Sequence, residues 1–283
     1  MSTERETGVY KYCDEHGLDI LRNLEIKFTP PNQFNDPFEF TPHVINSNPR
    51  RTVNRTLKNK AEIKEMYEED KAAGIPTGNF RQYRQRFAGM LPEVRRRMIE
   101  QSGQTSDAVQ SRYLDEVSSV FGVLCLSSRR DSILMWGHYC DKHRGLVIGF
   151  DGQHDHFSVK GGLRFVNYIR ERIAYDMSWK NGSQELDDYF QRIVISKNDA
   201  WEYEKELRHI HELAKLKQKP LGDGKLGHFG SFSAAAIKSV TLGAKCTKPF
   251  EESVRALLQD KRLAHVKLDR AVLHPSEFAL KFE

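Results

Sequence analysis

The 283-residue sequence predicts an α+β fold, with an antiparallel or mixed sheet as its core and a mainly helical insertion over residues 48–119. Three observations carry this prediction. A strand, a helix and a second strand fit into the first forty or so residues. A long charged stretch then carries its apolar residues at helical spacing. From residue 121 onward, short apolar runs bounded by turn residues return.

Taken in order, the aromatic run around Val9–Tyr12 reads as a short strand, followed by a helix ending near Asn23 and a strand over 25–28. Pro30 and Pro31 force an extended turn after it. Residues 52–120 read as two or three helices, interrupted at 74–78 and 102–105 by glycine-rich and polar residues. The continuous apolar runs 121–126 and 145–150 read as buried strands, with a helix over 132–140 between them. A strand over 162–168, a helix over 186–197 and strands at 207–211, 237–242, 271–273 and 278–282 complete the sheet; 251–263 reads as an amphipathic helix. No internal repeat or long low-complexity tract divides the chain, so residues 1–283 are expected to form a single domain.

A composition of 39% hydrophobic and 29% charged residues is that of a globular chain, and no apolar run approaches bilayer-spanning length. The polar start MSTERETGVY lacks the pattern of a secretory leader, so the expected location is the cytoplasm, with no membrane partner. Cys13, Cys125, Cys140 and Cys246 are scattered without a CxxC pair, which argues for four ordinary thiols. The net charge of +5 and the basic clusters at 49–60, 81–97 and 215–219 favour a polyanion such as nucleic acid; solvated helix faces account for them equally well.

Three clusters are candidates for chemistry. In Phe34-Asn35-Asp36-Pro37-Phe38-Glu39, either Asn35 and Asp36 close a turn through their own side chains, or they point into a cleft beside Tyr10, Lys11 and Tyr12. In the second, Asp131 or Ser132 caps a helix directly after a buried strand, and its free amides would attract an anion. Ser132, Met135, Trp136 and Tyr139 share one helical face, either as core or as a ligand shelf, and His138 adds a donor. In the third, an extended Trp201–His211 would put Glu202, Glu204, Glu206 and Arg208 on one face, where adjacent carboxylates split their pKa values and an arginine holds one ionised. The pairs His154/His156 and His209/His211 lack an obvious third ligand, so no metal is expected. The Walker, GxGxxG, GxSxG and HExxH patterns are absent.

The order Tyr-Lys-Tyr, FNDPFE, a strand ending in Cys-Leu-Ser, MWGHYCDKHRG and WEYEKELR resembles a bacterial family, domain of unknown function 2971, over residues 9–243. Its layout is also similar to the ADP-ribosyltransferase superfamily, which implies a split sheet and NAD as co-substrate. By that resemblance Glu206 is the catalytic glutamate that orients the ribose and stabilises the oxocarbenium-like state, and Glu204 positions the acceptor. Tyr10 and Lys11, with Tyr12, Asn35 and Asp36 nearby, are expected to approach the phosphates or ribose. Ser127 or Ser132, with Trp136, His138 and Tyr139, are expected to line the nicotinamide pocket, and Arg208 to hold a carboxylate ionised. The implied role is a toxin-like or antiviral defence effector that modifies nucleic acid or protein and is held in check by a partner protein. Two alternatives stand beside it: a non-catalytic nucleotide or nucleic-acid sensor, and a metal-dependent nuclease using Asp36, Glu204 and Glu206 with His209 or His211.

Overall fold

The computed structural model describes residues 8–283 except 57, 102–106, 159–161 and 222–223. The helix break expected at 102–105 lies outside the described residues. From the N-terminus the elements are β1 (Gly8–Cys13), α1 (Gly17–Asn23), β2 (Glu25–Phe28), β3 (His43–Ile45), α2 (Pro49–Thr56), α3 (Lys60–Ala72), α4 (Phe80–Gln101) and α5 (Asp107–Val120). There follow β4 (Phe121–Ser127), α6 (Ile133–Tyr139), β5 (Leu146–Asp151), α7 (Asp155–Ser158), β6 (Arg164–Phe165), β7 (Asn167–Ile169), β8 (Ala174–Asp176) and α8 (Gln184–Ile193). The chain continues with β9 (Ser196–Asn198), β10 (Glu206–Glu212), β11 (Lys217–Pro220), β12 (Leu226–Ser231), β13 (Ile237–Leu242), α9 (Lys248–Leu258), β14 (Lys267–Leu273) and β15 (Leu280–Phe282).

Two compact units emerge. The first takes the chain up to Phe40, Leu114–Glu171 and Ile195–Glu283; the second takes Thr41–Tyr113 and Arg172–Val194. In the second, β3 and β8 pair in parallel, and Asp176 accepts hydrogen bonds from the amides of Ser47 (3.2 Å) and Ser178 (2.8 Å). Its helices α2, α3 and α4 bury Val53, Ile63 and Phe87 together, while Tyr113, Tyr175 and Tyr189 form an aromatic cluster.

The first unit is built on an eight-stranded sheet in the order β15-β14-β13-β5-β1-β4-β10-β6. Among the described residues every pairing in it is antiparallel except β13 with β14, so the sheet is mixed, and the protein is α+β. Strand alternation sends Leu146, Ile148 and Phe150 into one core with Leu21 and Val254, and Val147 into another with Tyr12, Met135 and Trp136. Among the described residues no helix is long and apolar enough to cross a membrane.

Three sequence expectations change. The helix expected over 186–197 ends at Ile193, because the β-branched run Ile193-Val194-Ile195 leads into β9, which pairs with β7. The single strand expected over 162–168 is two: Arg164 and Phe165 pair with β10, then the chain turns so that Asn167–Ile169 pair with β9. The extended acidic face expected at 202–208 is broken. Asp199–Glu204 is a 3-10 turn, started by Asn198 Oδ1 accepting from the Ala200 amide (3.0 Å) and ended by Lys205 at φ 45°. Glu202 is therefore exposed and pairs with Lys205 at 2.8 Å.

The sheet opens between β1 and β4. These neighbours share one register pair, Tyr10 with Ser127, whereas β1 pairs with β5 along its whole length. Beyond Ser127 the edge of β4 is met instead by Thr29, which exchanges two 2.9 Å backbone hydrogen bonds with Val123, and by Lys11, whose Nζ donates to the Cys125 carbonyl at 3.1 Å. Buried backbone groups at the opening are thus satisfied without closing the sheet.

The CDKHRG loop after α6 is a structural brace. Asp141, Lys142 and His143 all have positive φ (44°, 54° and 70°), and the Arg144 and Gly145 amides donate back to the Cys140 carbonyl at 2.9 and 2.8 Å. A Cβ on Gly145 would lie 2.1 Å from the Cys13 carbonyl oxygen, a backbone atom that cannot rotate aside. Gly145→Ala is expected to cost stability at the upper end of the ~1–3 kcal/mol that overpacking brings. Urea unfolding checks this, and an unchanged midpoint would refute it.

Candidate functional site

Where the sheet opens lies a cavity of about 300 Å³, lined among others by Tyr10, Lys11, Tyr12, Asn35, Ser127, Tyr139, Glu204 and Glu206. The placement follows from strand alternation. Glu206 and Arg208 stand opposite Ser127 and Cys125 across the β10/β4 ladder, on the face that carries Tyr10 and Tyr12 on β1. Leu207 and His209 point the other way, into the core with Phe28 and Phe157. Glu204 comes from the 3-10 turn, and Ser127 Oγ donates to its carbonyl at 2.6 Å. Tyr139 closes the wall from the end of α6 and donates to Glu204 Oε1 at 2.7 Å.

Behind this wall is a buried ionic cluster. Lys197 Nζ lies 2.7 Å from Glu204 Oε2, 3.0 Å from Glu206 Oε2 and 3.2 Å from Glu39 Oε1. Arg208 Nε donates to Glu206 Oε1 at 2.8 Å, and Arg208 also pairs with Glu39. All five residues are buried, Arg208 completely. Three carboxylates thus meet two cations in direct contact, which leaves one negative charge in excess when all are ionised.

The titrations diverge accordingly. Burial alone would raise the Glu206 carboxyl, but Arg208 and Lys197 outweigh it and hold it down at about 2. For Glu39 burial prevails over the same two cations, and its carboxyl is raised. Burial works against the Lys197 ammonium, yet Glu206, Glu39 and Glu204 raise it. Burial and then Glu204 raise the Tyr139 phenol, so it is a firm donor. One site thus holds an ionised carboxylate and a carboxyl pushed toward protonation.

Five residues expected at the site do not line the cavity. Trp136 is fully buried beneath it, donating through Nε1 to the Arg130 carbonyl (2.8 Å), edge-on to Tyr12 and stacked on His143; it is core. Ser132 caps α6 by accepting from the Met135 amide at 3.4 Å. His138 is exposed and does not line the cavity, with its ring near those of Tyr139 and Tyr203. Asp36 closes its own turn, Oδ1 accepting from the Phe38 amide at 2.9 Å. Arg208 supports Glu206 and Glu39 from behind without lining the cavity. Conversely, Lys197 and Glu39 line the cavity and belong to the cluster. Glu39 was visible as the last residue of FNDPFE. Lys197 had only a β-branched run before it and the capping Asn198 after it as signals.

Among the described residues no group of three or more His, Cys, Asp or Glu is arranged to hold a metal ion. His209 lies on the opposite face of β10 from Glu206, and Asp36 Oδ1 closes its own turn. His156 packs near His209, and burial, then His209, His154 and His211, push its imidazole down to about 4. An unfolded imidazole binds its proton near 6.5 and the folded one near 4, so folding stability is expected to fall as pH drops through that window. Urea midpoints at pH 7 and 4.5 for the protein and for His156→Phe check this: the variant should lose less, and an equal loss would clear His156.

Fold and site together define an α+β protein with an opened mixed sheet and, at the opening, a cavity whose wall carries buried carboxylates. Residues 135–209, from α6 through the Glu204–Arg208 segment, match the family described as a protein of unknown function (DUF2971). No curated protein and no solved structure matches the chain.

Proposed function

We propose that the protein is an ADP-ribosyltransferase-like enzyme that takes NAD as co-substrate and transfers its ADP-ribosyl group to an acceptor. The observation that carries this reading is Glu206 at the cavity wall, held ionised by Arg208 and Lys197. The positive charge of the nicotinamide ring passes to the ribose as the bond breaks, and a fixed carboxylate placed beside the ribose favours that transition state over the ground state. The cavity of about 300 Å³ suits the nicotinamide-ribose end of the dinucleotide, whose ring is cationic before cleavage.

In this reading the bond between ribose C1′ and the nicotinamide nitrogen breaks, and nicotinamide leaves with the bonding pair. A bond forms from C1′ to an acceptor oxygen or nitrogen, whose proton passes to Glu204. Glu206 faces the developing charge, held in place by Arg208 and Lys197. Tyr139 and Lys197 orient Glu204. Purified protein is incubated with NAD labelled in the adenosine part, with RNA, DNA and cell proteins as acceptors. Nicotinamide release and labelled acceptor support the proposal. Folded protein that binds NAD without either product makes the site a nucleotide sensor, and no binding at all overturns both readings.

A further inference from the structure

A second concavity, a groove of about 800 Å³, shares Lys11, Tyr12, Thr29 and Tyr139 with the cavity. It runs along β1, α1 and β2 to the β11–β12 hairpin. Tyr139, at the common wall, is the residue that holds Glu204, so an occupant of the groove meets the site on the acceptor side. We propose that this groove binds single-stranded nucleic acid and presents it as the acceptor, an inference that rests on the transferase reading for its chemistry but not for its binding.

The charge pattern argues for a phosphate-bearing chain. Glu25 is neutralised by both Lys217 (3.1 Å) and Lys219, and Asp19 by Arg22 (2.7 Å). Asp14 turns back to accept from the His16 amide at 3.0 Å. The ammonium of Lys27, half-buried on β2, has no hydrogen-bond or ion-pair partner among the described residues, and that of Lys11 donates to the Cys125 carbonyl. In the groove Lys27 and Lys11 thus stand without an ion-pair partner among the described residues, as does Asp14, whose carboxylate is drawn onto the His16 amide. Opposite them, Pro220, Leu221 and Phe229 supply an apolar wall, with the Lys219 ammonium 5.6 Å from the Phe229 ring centre. Cations that track a backbone beside an aromatic face for the base are the two elements that sequence-tolerant single-strand binding needs.

The test is fluorescence anisotropy of labelled RNA and DNA 8-mers against the protein, Lys27→Ala, Lys27→Glu and Phe229→Ala. Each variant's melting temperature and nicotinamide release without acceptor are measured alongside. Lys27→Glu is expected to weaken binding about tenfold, Lys27→Ala to lower the slope of log affinity against log salt by about one, and Phe229→Ala to weaken binding about tenfold. Nicotinamide release should stay unchanged in all three. No oligonucleotide binding, or binding indifferent to all three substitutions in folded protein, overturns the groove while leaving the transferase reading intact. Groove-dependent binding without NAD turnover has the opposite outcome: the groove stands and the transferase reading falls.

Discussion

Glu206→Gln is expected to lower nicotinamide release from NAD by about a thousandfold, or ~4 kcal/mol of transition-state stabilisation, the size of effect seen when one preorganised charge-stabilising group is removed. The substitution keeps the shape of the side chain and removes its charge. The carboxylate held ionised at the cavity wall is then gone, while both cations that faced it remain. The amide cannot satisfy both neighbours: its oxygen accepts from Arg208 or from Lys197, and its NH2 then faces the other donor. A moderate drop in melting temperature should accompany the kinetic loss. Steady-state release assays and thermal melts of the same preparations separate the two, and near-normal turnover in a folded variant would remove Glu206 from the chemistry.

Lys197→Met is expected to produce the largest loss of stability. Removing one partner from a buried ion pair costs about 3–5 kcal/mol, because the remaining charge has neither water nor a counterion. Here one ammonium serves Glu39, Glu204 and Glu206, all buried. At ~2–4 °C per kcal/mol for a chain of this size class, the melting temperature should fall by about 10 °C. The loss has a pH signature. The Glu39 carboxyl is already raised by burial, and without Lys197 it rises further. A carboxyl raised above its unfolded value favours the protonated native state, so the variant should recover stability as pH falls and be weakest above neutrality. Melts at pH 5 and pH 8 check the sign; an equal deficit at both would show that Lys197 acts by packing alone.

Local chemistry made much of the fold legible. The 25–28 strand, the helix ending at Asn23, the buried strands flanking α6 and the strand at 237–242 all sit where alternation, apolar runs and turn residues placed them. Errors came where a neighbour far along the chain chose between two local conformations. Residues 196–198 join a strand because β7 pairs with them, and 162–168 divides because two different partners take its halves. At the site, Tyr10, Lys11, Tyr12, Tyr139, Glu204 and Glu206 were readable as aromatic and carboxylate clusters. Trp136 was misread, because its helical face looks the same whether it meets a ligand or, as it does, Tyr12 and His143.

By itself, the sequence determined most strand and helix identities, the cap at Ser132, the capacity of Asp36 to close its turn, and the presence of Glu204 and Glu206 two residues apart. These depend on interactions within a few residues. Only the tertiary structure decided that β1 and β4 part after one register pair, and that Lys197 and Glu39 join the two glutamates. It also decided that Arg208 is wholly buried behind them. The reason is physical: a buried charge takes its partners from wherever the sheet brings them, and the sequence separation of 169 between Glu39 and Arg208 leaves no local pattern from which that meeting can be read.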